Sequence, residues 1–260
     1  MSDRESQGQP ATGGAVVVLP TYEEAENVVP MVQTILGVAD RCSLALRVIV
    51  VDDGSPDGTA DLADELARGD SRVSVLRRTR KEGIGPAYLA GFAKALEMGA
   101  EQVLEMDCDF SHDPKELPRI LEAMEHADIV LGSRYVPGGG VVRWGPVRRL
   151  ISRGGCLYAQ AILGVPIKDL TGGFKCFRRD VLEALPLEQV TAAGYGFQIE
   201  LTYRALLQGF RVVEVPIVFS ERASGTSKMS KRIVLEAALL VPRLRLRRRK
   251  LAAAQAQPAG

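Results

Sequence analysis

Five short apolar runs, each followed by a stretch of helical periodicity, constrain this chain more than any other feature. Residues 15–19, 46–51, 73–76, 102–106 and 128–132 are rich in Val, Ile and Leu, as strands buried on both faces should be. Between them, residues 23–39, 59–68, 84–98 and 114–125 read as helices. Thr21 with Glu24 matches a capping box, and Asp113, Pro114 and Glu116 supply an N-cap, N1 and N3. Regular β-α order predicts an α/β, Rossmann-like fold, with a mainly parallel sheet, right-handed crossovers and helices on both faces. After Gly132 the rhythm changes. A Gly-rich loop over 136–144 holds the single Trp, and 147–163 reads as a helix. Then come a loop and short strand (165–177), a helix (195–208), a strand (212–219) and a helix (229–240).

Polar residues gather where the strands end. The first strand runs into Pro20-Thr21-Tyr22-Glu23-Glu24, and the second into Asp52-Asp53-Gly54-Ser55-Pro56-Asp57-Gly58-Thr59. The fourth ends at Met106-Asp107-Cys108-Asp109-Phe110-Ser111-His112, and the fifth in Gly132-Ser133-Arg134-Tyr135. In doubly wound sheets, ligands bind beyond the carboxyl ends of the strands. Asp107 and Asp109 stand at i and i+2, which on a strand point the same way. Two aimed carboxylates suit a hard divalent cation, and such a cation suits a diphosphate. Singly, each motif has a structural reading: Asp-x-Asp and Asp57-Gly58 as turns, Thr21 and Glu24 as a cap, Arg134 as a surface arginine. Their shared sheet edge favours a site. No Gly-x-x-x-x-Gly-Lys-Ser/Thr loop is present. The run Gly83-Ile84-Gly85-Pro86-Ala87-Tyr88 lacks the third glycine of a dinucleotide fingerprint and follows a charged stretch, Arg77, Arg78, Arg80 and Lys81.

Composition narrows the alternatives. The 260 residues, 46% hydrophobic and 25% charged, are those of a globular protein. Four scattered cysteines form no Cys-x-x-Cys pair, which fits a reducing compartment, and two histidines exclude a His-rich metal centre. No apolar stretch reaches the length of a membrane span, and no signal-peptide pattern opens the chain. The net charge of +1 is uneven: residues 221–250 carry ten Lys/Arg against Glu221 and Glu236 (+8), leaving 23 against 30 acidic residues elsewhere (−7). The acidic remainder argues against nucleic acid as a partner. The basic segment suits an anionic membrane surface.

Taken in order, Pro20–Glu24, Asp52–Thr59, Asp107–His112, Gly132–Tyr135, Asp169-Leu170-Thr171-Gly172-Gly173-Phe174-Lys175 and Arg222 with Lys228 resemble the motifs of inverting family 2 glycosyltransferases. Within that family the chain is most similar to the polyprenol-phosphate (dolichol-phosphate) mannose synthases. The resemblance spans about residues 15–235 and implies a GT-A fold. It implies that Pro20, Tyr22, Glu24, Val50 and Asp52 cradle the nucleoside. It also implies that Asp107, Cys108 and Asp109 hold the diphosphate, with Asp107 and Asp109 ligating Mg²⁺ or Mn²⁺. Arg134, Arg222 and Lys228 would meet donor and acceptor phosphates, with Asp109 and Arg134 central to catalysis, and Asp169 and Gln198 near the acceptor. Some members carry Gln where this chain has Ser111, a shorter and weaker ligand that is not expected to bind the cation directly. The implied reaction moves mannose from GDP-mannose to a polyprenyl phosphate. The rival within the family is transfer of glucose or N-acetylglucosamine from a UDP-sugar.

The expected organisation is a disordered lead (1–14), a catalytic domain (15–228), a basic amphipathic helix at the membrane surface (229–250) and a frayed tail (251–260). Residues 221–229 read as a lid over the diphosphate. Trp144 with Arg143, Arg148 and Arg149 reads as a second interfacial patch. Family members without membrane spans can rely on a membrane-embedded partner. The expected location is the cytoplasmic face of the cell membrane.

Overall fold

The computed structural model describes residues 14–190, 192, 194–221 and 231–253. Residues 1–13 of the lead, all of the expected lid but Glu221 (hence Arg222 and Lys228), and the last seven residues lie outside the described residues.

In chain order the first elements are β1 (Ala15–Thr21), α1 (Ala25–Arg41), β2 (Leu46–Asp52), α2 (Thr59–Gly69), β3 (Val73–Arg77) and α3 (Ile84–Glu97). Next come β4 (Gln102–Glu105), α4 (Leu117–Ala123), β5 (Ile129–Ser133), β6 (Gly140–Val141), α5 (Pro146–Leu163), β7 (Lys175–Arg178) and α6 (Arg179–Ala184). The chain closes with α7 (Tyr195–Leu207), β8 (Val212–Pro216), β9 (Val218–Phe219), α8 (Lys231–Leu246) and α9 (Arg248–Ala253). Seven strands form one sheet in the order β3-β2-β1-β4-β7-β5-β8, and β6 pairs with β9 beside it. All neighbours in the large sheet are parallel except β7, which runs antiparallel between β4 and β5.

Strand alternation explains the two main cores. Along β1, Val17 and Leu19 pack with Val28, Met31 and Ile35 of α1. Val16 and Val18 pack on the other face with Tyr88 and Phe92 of α3 and Phe197 of α7. Full burial of each such side chain contributes about 1.5–3 kcal/mol, so both faces must be covered. Gly91 lets α3 lie close on β1: a Cβ there would stand 2.2 Å from Val18 Cγ1. A third core joins Leu131, Ala159, Leu163, Ile199 and Tyr203 to Val241 and Leu244 of α8, so the basic C-terminal helix shares a core with α5 and α7.

Several expectations need correction. Thr21 and Glu24 form no capping box: Thr21 lies in β1 and its hydroxyl donates to Asp52 Oδ1 (3.1 Å), while the Glu24 side chain makes no cap bond. The helix expected over 114–125 is a short α4 flanked by 3₁₀ turns, because Pro118 has no N–H to give the preceding turn. Its predicted start does hold: Asp113 accepts from the Lys115 N–H. The strand expected over 212–219 splits in two, since Pro216 ends β8 and β9 turns to pair with β6. β4 stops at Glu105, so Asp107 and Asp109 are not aligned by strand alternation but lie in the loop that follows.

Candidate active site

The carboxyl ends of β1, β2 and β4 border an open cleft. Its floor and walls come from Pro20, Thr21, Tyr22 and Glu24 after β1, and from Asp53 after β2. Lys81, Gly83, Ile84 and Ala87 lie before and within α3, and Asp107, Cys108 and Asp109 follow β4. Of the expected nucleoside and diphosphate residues, this brings together Pro20, Tyr22, Glu24, Asp107, Cys108 and Asp109. Val50 is wholly buried in the core inside β2. Asp52 is turned inward, accepting from Thr21, from the Ser55 hydroxyl (2.5 Å) and from the Ser55 N–H (2.9 Å). The β2 carboxylate that lines the cleft is Asp53.

The Asp52–Thr59 loop acts as a brace. Ser55 accepts from the Glu23 N–H and Thr59 from the Glu24 N–H, each at 3.0 Å, and Asp57 accepts from Ala25 and Thr59. Gly58, at φ +86°, makes the left-handed step into α2. These bonds fix the β1 and β2 loops to each other and set the rim of the cleft.

Each acidic residue after β4 is held in place. The Tyr88 hydroxyl donates to Asp107 Oδ1 (3.1 Å). Burial, reinforced by the carboxylates around it, pushes the Tyr88 phenol well up, so it stays a donor. Asp109 Oδ1 accepts from the Ser111 N–H (3.0 Å) and hydroxyl (2.5 Å), closing a tight turn through Phe110 at φ +59°. Ser111 therefore orients Asp109. Burial, with nearby Glu24, Asp109 and Asp107, drives the Cys108 thiol up, so it remains protonated.

This donor set fits a hard divalent cation. Two carboxylates with a neutral thiol between them supply a minority of an octahedral shell, leaving the rest to diphosphate oxygens and water. Among the described residues, no group of three or more His, Cys, Asp or Glu is arranged to hold a metal ion by itself.

Arg134 lies apart from the cleft lining. It is 7% exposed and gripped by the fully buried Asp169: Nε donates to Oδ2 (2.7 Å), Nη2 to Oδ1 (2.6 Å) and the backbone N–H to Oδ2 (2.9 Å). Nη2 also reaches Thr171 (2.8 Å). Burial pushes the Asp169 carboxyl up, but the charge and hydrogen bonds of Arg134 outweigh it and hold the group below its ordinary value. Gln198 is likewise buried, accepting at Oε1 from Lys175 Nζ. Lys175 in turn faces Glu105 across the β4–β7 ladder at 3.4 Å, and both are wholly buried.

From Asp109 a line of aromatic contacts leads to a second cavity. His112 packs on Phe174 and Phe219, and Phe219 meets Trp144 edge-on at 5.3 Å. Trp144 and Thr171 line a half-open, mainly apolar cavity, with Ile151 and Tyr158 of α5, Ile199 of α7 and Val241 of α8. Trp144 is not an exposed interfacial residue. It is 7% exposed, with the Arg148 guanidinium 4.1 Å above its ring, because the indole gains more contact inside the rim than outside it. The exposed apolar side chains of this region are Val147, Leu150, Ile151, Leu157 and Tyr158 on α5 and Leu239 and Leu246 on α8. No helix of the described residues is long and apolar enough to cross a membrane.

Two residues of this region escaped the sequence reading. Asp53 was hidden beside Asp52, and the inward turn of one carboxylate depends on Ser55 and Thr21. Lys81 is masked in sequence by the charged run around it; its signal is its place just before the Gly83–Gly85 turn.

Comparison with known proteins follows the same lines. The model described as "Glycosyl transferase family 2" matches residues 16–185. The undecaprenyl-phosphate mannosyltransferase of Micrococcus luteus is 47% identical over 228 residues, covering 88% of this chain and 92% of that protein. The polyprenol monophosphomannose synthase of Mycolicibacterium smegmatis is 50% identical over 229 residues, covering 87% of this chain and 84% of that protein. Among solved structures, glucosyl-3-phosphoglycerate synthase from Mycobacterium tuberculosis, in complex with Mn²⁺, UDP-glucose and phosphoglyceric acid, superposes with a TM-score of 0.63. Its identity is 21%, covering 88% of this chain and 79% of that one, a likeness of fold.

Proposed function

The chain belongs to glycosyl transferase family 2, with its GT-A fold, and on that premise we propose that it transfers mannose from GDP-mannose to a polyprenyl phosphate, releasing GDP. The observation that carries this reading is the pairing of an acidic cleft at the sheet edge with an apolar cavity, joined through Ser111, His112, Phe219 and Trp144. A polar donor and a lipid acceptor require two such compartments side by side. The names of the two relatives support the acceptor and sugar classes.

In this reading the bond from the anomeric carbon to the GDP β-phosphate oxygen breaks, and its electron pair leaves with GDP. A bond from an acceptor phosphate oxygen to the same carbon forms from the opposite face, inverting it. A phosphate monoester has a second pKa of about 6, so the acceptor is already anionic and needs no general base. A divalent cation, when bound, would offset the charge developing on the leaving diphosphate. Asp107 and Asp109 are the residues that would hold it, with Tyr88 and Ser111 fixing their orientation. Pro20, Tyr22 and Glu24 border the nucleoside end of the cleft. Arg222 and Lys228 are the cations proposed to meet the donor phosphates, and Arg134, outside the acidic cleft but beside Thr171 and Trp144 of the apolar cavity, is proposed to act on the acceptor side.

The exposed apolar face of α5 is flanked by exposed Arg149 and Arg153, and α8 and α9 by Arg243, Arg245 and Arg247–Arg249. This surface suits peripheral attachment to an anionic, inner membrane face, with apolar side chains inserted and each basic residue contributing about 1 kcal/mol. A thermal shift by GDP with Mg²⁺ tests the donor assignment. Stabilisation by GDP and not by UDP is the expected result. The reverse preference points to a UDP-sugar donor and contradicts the assignment.

A further inference from the structure

Lys81 is the one cation among the described residues lining the cleft, facing Glu24, Asp53, Asp107 and Asp109. Its ammonium is held not by any of these carboxylates but by the face of Tyr22, 3.7 Å from the ring centroid. We propose that Lys81 is a donor-binding residue that leaves the Tyr22 ring to pair with the diphosphate of the incoming nucleotide, uncovering that ring for the nucleoside. The inference deepens the donor reading above and rests on it.

Three observations carry it. First, the acidic residues at the root of the Lys81 loop, Asp53 and Glu82, are matched by arginines. Asp53 takes Arg78 at 2.5 Å, and Glu82 takes both Arg78 at 2.5 Å and Arg80 at 2.7 Å. Second, the loop bearing Lys81 is anchored at its base. The Arg78–Asp53 pair ties it to the end of β2, and Thr79 O lies so near Gly54 that a Cβ there would come within 3.2 Å. The Lys81 side chain itself is exposed, so it can swing from a fixed root. Third, the contact it would exchange is the weaker one. An exposed ammonium over a phenol ring gains little, whereas an ammonium hydrogen-bonded to a phosphate oxygen makes a charge-assisted bond. In the cleft a diphosphate adds its negative charge to that of Glu24, Asp53, Asp107 and Asp109, and Lys81 is the cation among the described lining residues placed to offset it.

Binding of GDP and of guanosine to the full-length protein in Mg²⁺, by calorimetry, separates this role from its alternatives. Lys81→Ala should weaken GDP about tenfold, the scale of one hydrogen bond to a charged group. It should leave guanosine unchanged or tighter, because the Tyr22 face is free. Lys81→Arg should recover most of the GDP affinity. Equal weakening of GDP and guanosine would mean that Lys81 reads the base, and unchanged GDP affinity would make it a plain surface lysine; either result overturns the inference. If the wild-type protein binds neither GDP nor UDP, the donor reading fails and takes this inference with it. If the wild type binds and Lys81→Ala binds equally, this inference alone fails.

Discussion

Replacing Asp169 by Asn isolates what the buried Arg134–Asp169 pair does. Asp169 is fully buried and takes three hydrogen bonds from Arg134 alone, with Thr171 and Cys156 adding weaker contacts. Asn keeps the shape and one acceptor oxygen but loses the charge, leaving the guanidinium unmatched in a buried setting. Breaking one partner of such a pair costs about 3–5 kcal/mol. The retained acceptor places this case near the lower end, about 3 kcal/mol. For a chain of this size that corresponds to a fall of about 6–12 °C in Tm. The sign with pH follows from the depressed Asp169 pKa. A carboxyl held below its unfolded value of about 3.9 stabilises the fold above that value and loses the contribution as pH falls through the folded value. The gap between wild type and Asp169→Asn should therefore be constant from pH 6 to 8 and close only in acid. Thermal unfolding followed by circular dichroism measures it. The double replacement Arg134→Met with Asp169→Leu should be markedly more stable than Asp169→Asn, because no charge is left buried alone. A single-variant loss under about 1 kcal/mol, or a double variant as unstable as the sum of the singles, would refute the reasoning.

Asp109→Ala should lower mannosyl transfer by about a hundredfold or more without moving Tm by more than a few degrees; near-wild-type turnover in Mg²⁺ would remove Asp109 from the machinery. Gly91→Ala should destabilise by about 1–3 kcal/mol through overpacking against Val18, read from the urea midpoint at constant m. Leu150→Glu on the exposed face of α5 should weaken sedimentation with anionic vesicles about tenfold or more, and high salt should release the wild type; vesicle binding indifferent to both would contradict attachment through this surface.

The sheet was legible because its residues obey a single rule. Val16 to Leu19 alternate between two cores, and both cores need apolar partners, so an unbroken apolar run at that position reads as a buried parallel strand. β7 was harder to see. The sequence shows it only as a short strand after a loop; its antiparallel place between β4 and β5 is not written there, and only pairing with Glu105 of β4 makes Lys175 a core residue. The site was legible as an edge, since polar motifs ended strand after strand. Its inner arrangement was not, because it depends on which oxygen meets which donor. Asp52 and Asp53 are chemically alike in sequence, yet Thr21 and Ser55 draw one inward and leave the other to the cleft. Asp107 and Asp109 do meet in the cleft, but Tyr88 and Ser111, not strand alternation, orient them.

The most direct test of the account is transfer of labelled mannose from GDP-mannose to a polyprenyl phosphate by the purified full-length protein, in detergent, with and without Mg²⁺ or Mn²⁺. Label is expected in the lipid fraction, requiring the cation, lost in Asp109→Ala and not supported by a UDP-sugar. Absence of lipid-borne label with cation and acceptor present, or equal transfer from UDP-glucose, would contradict it.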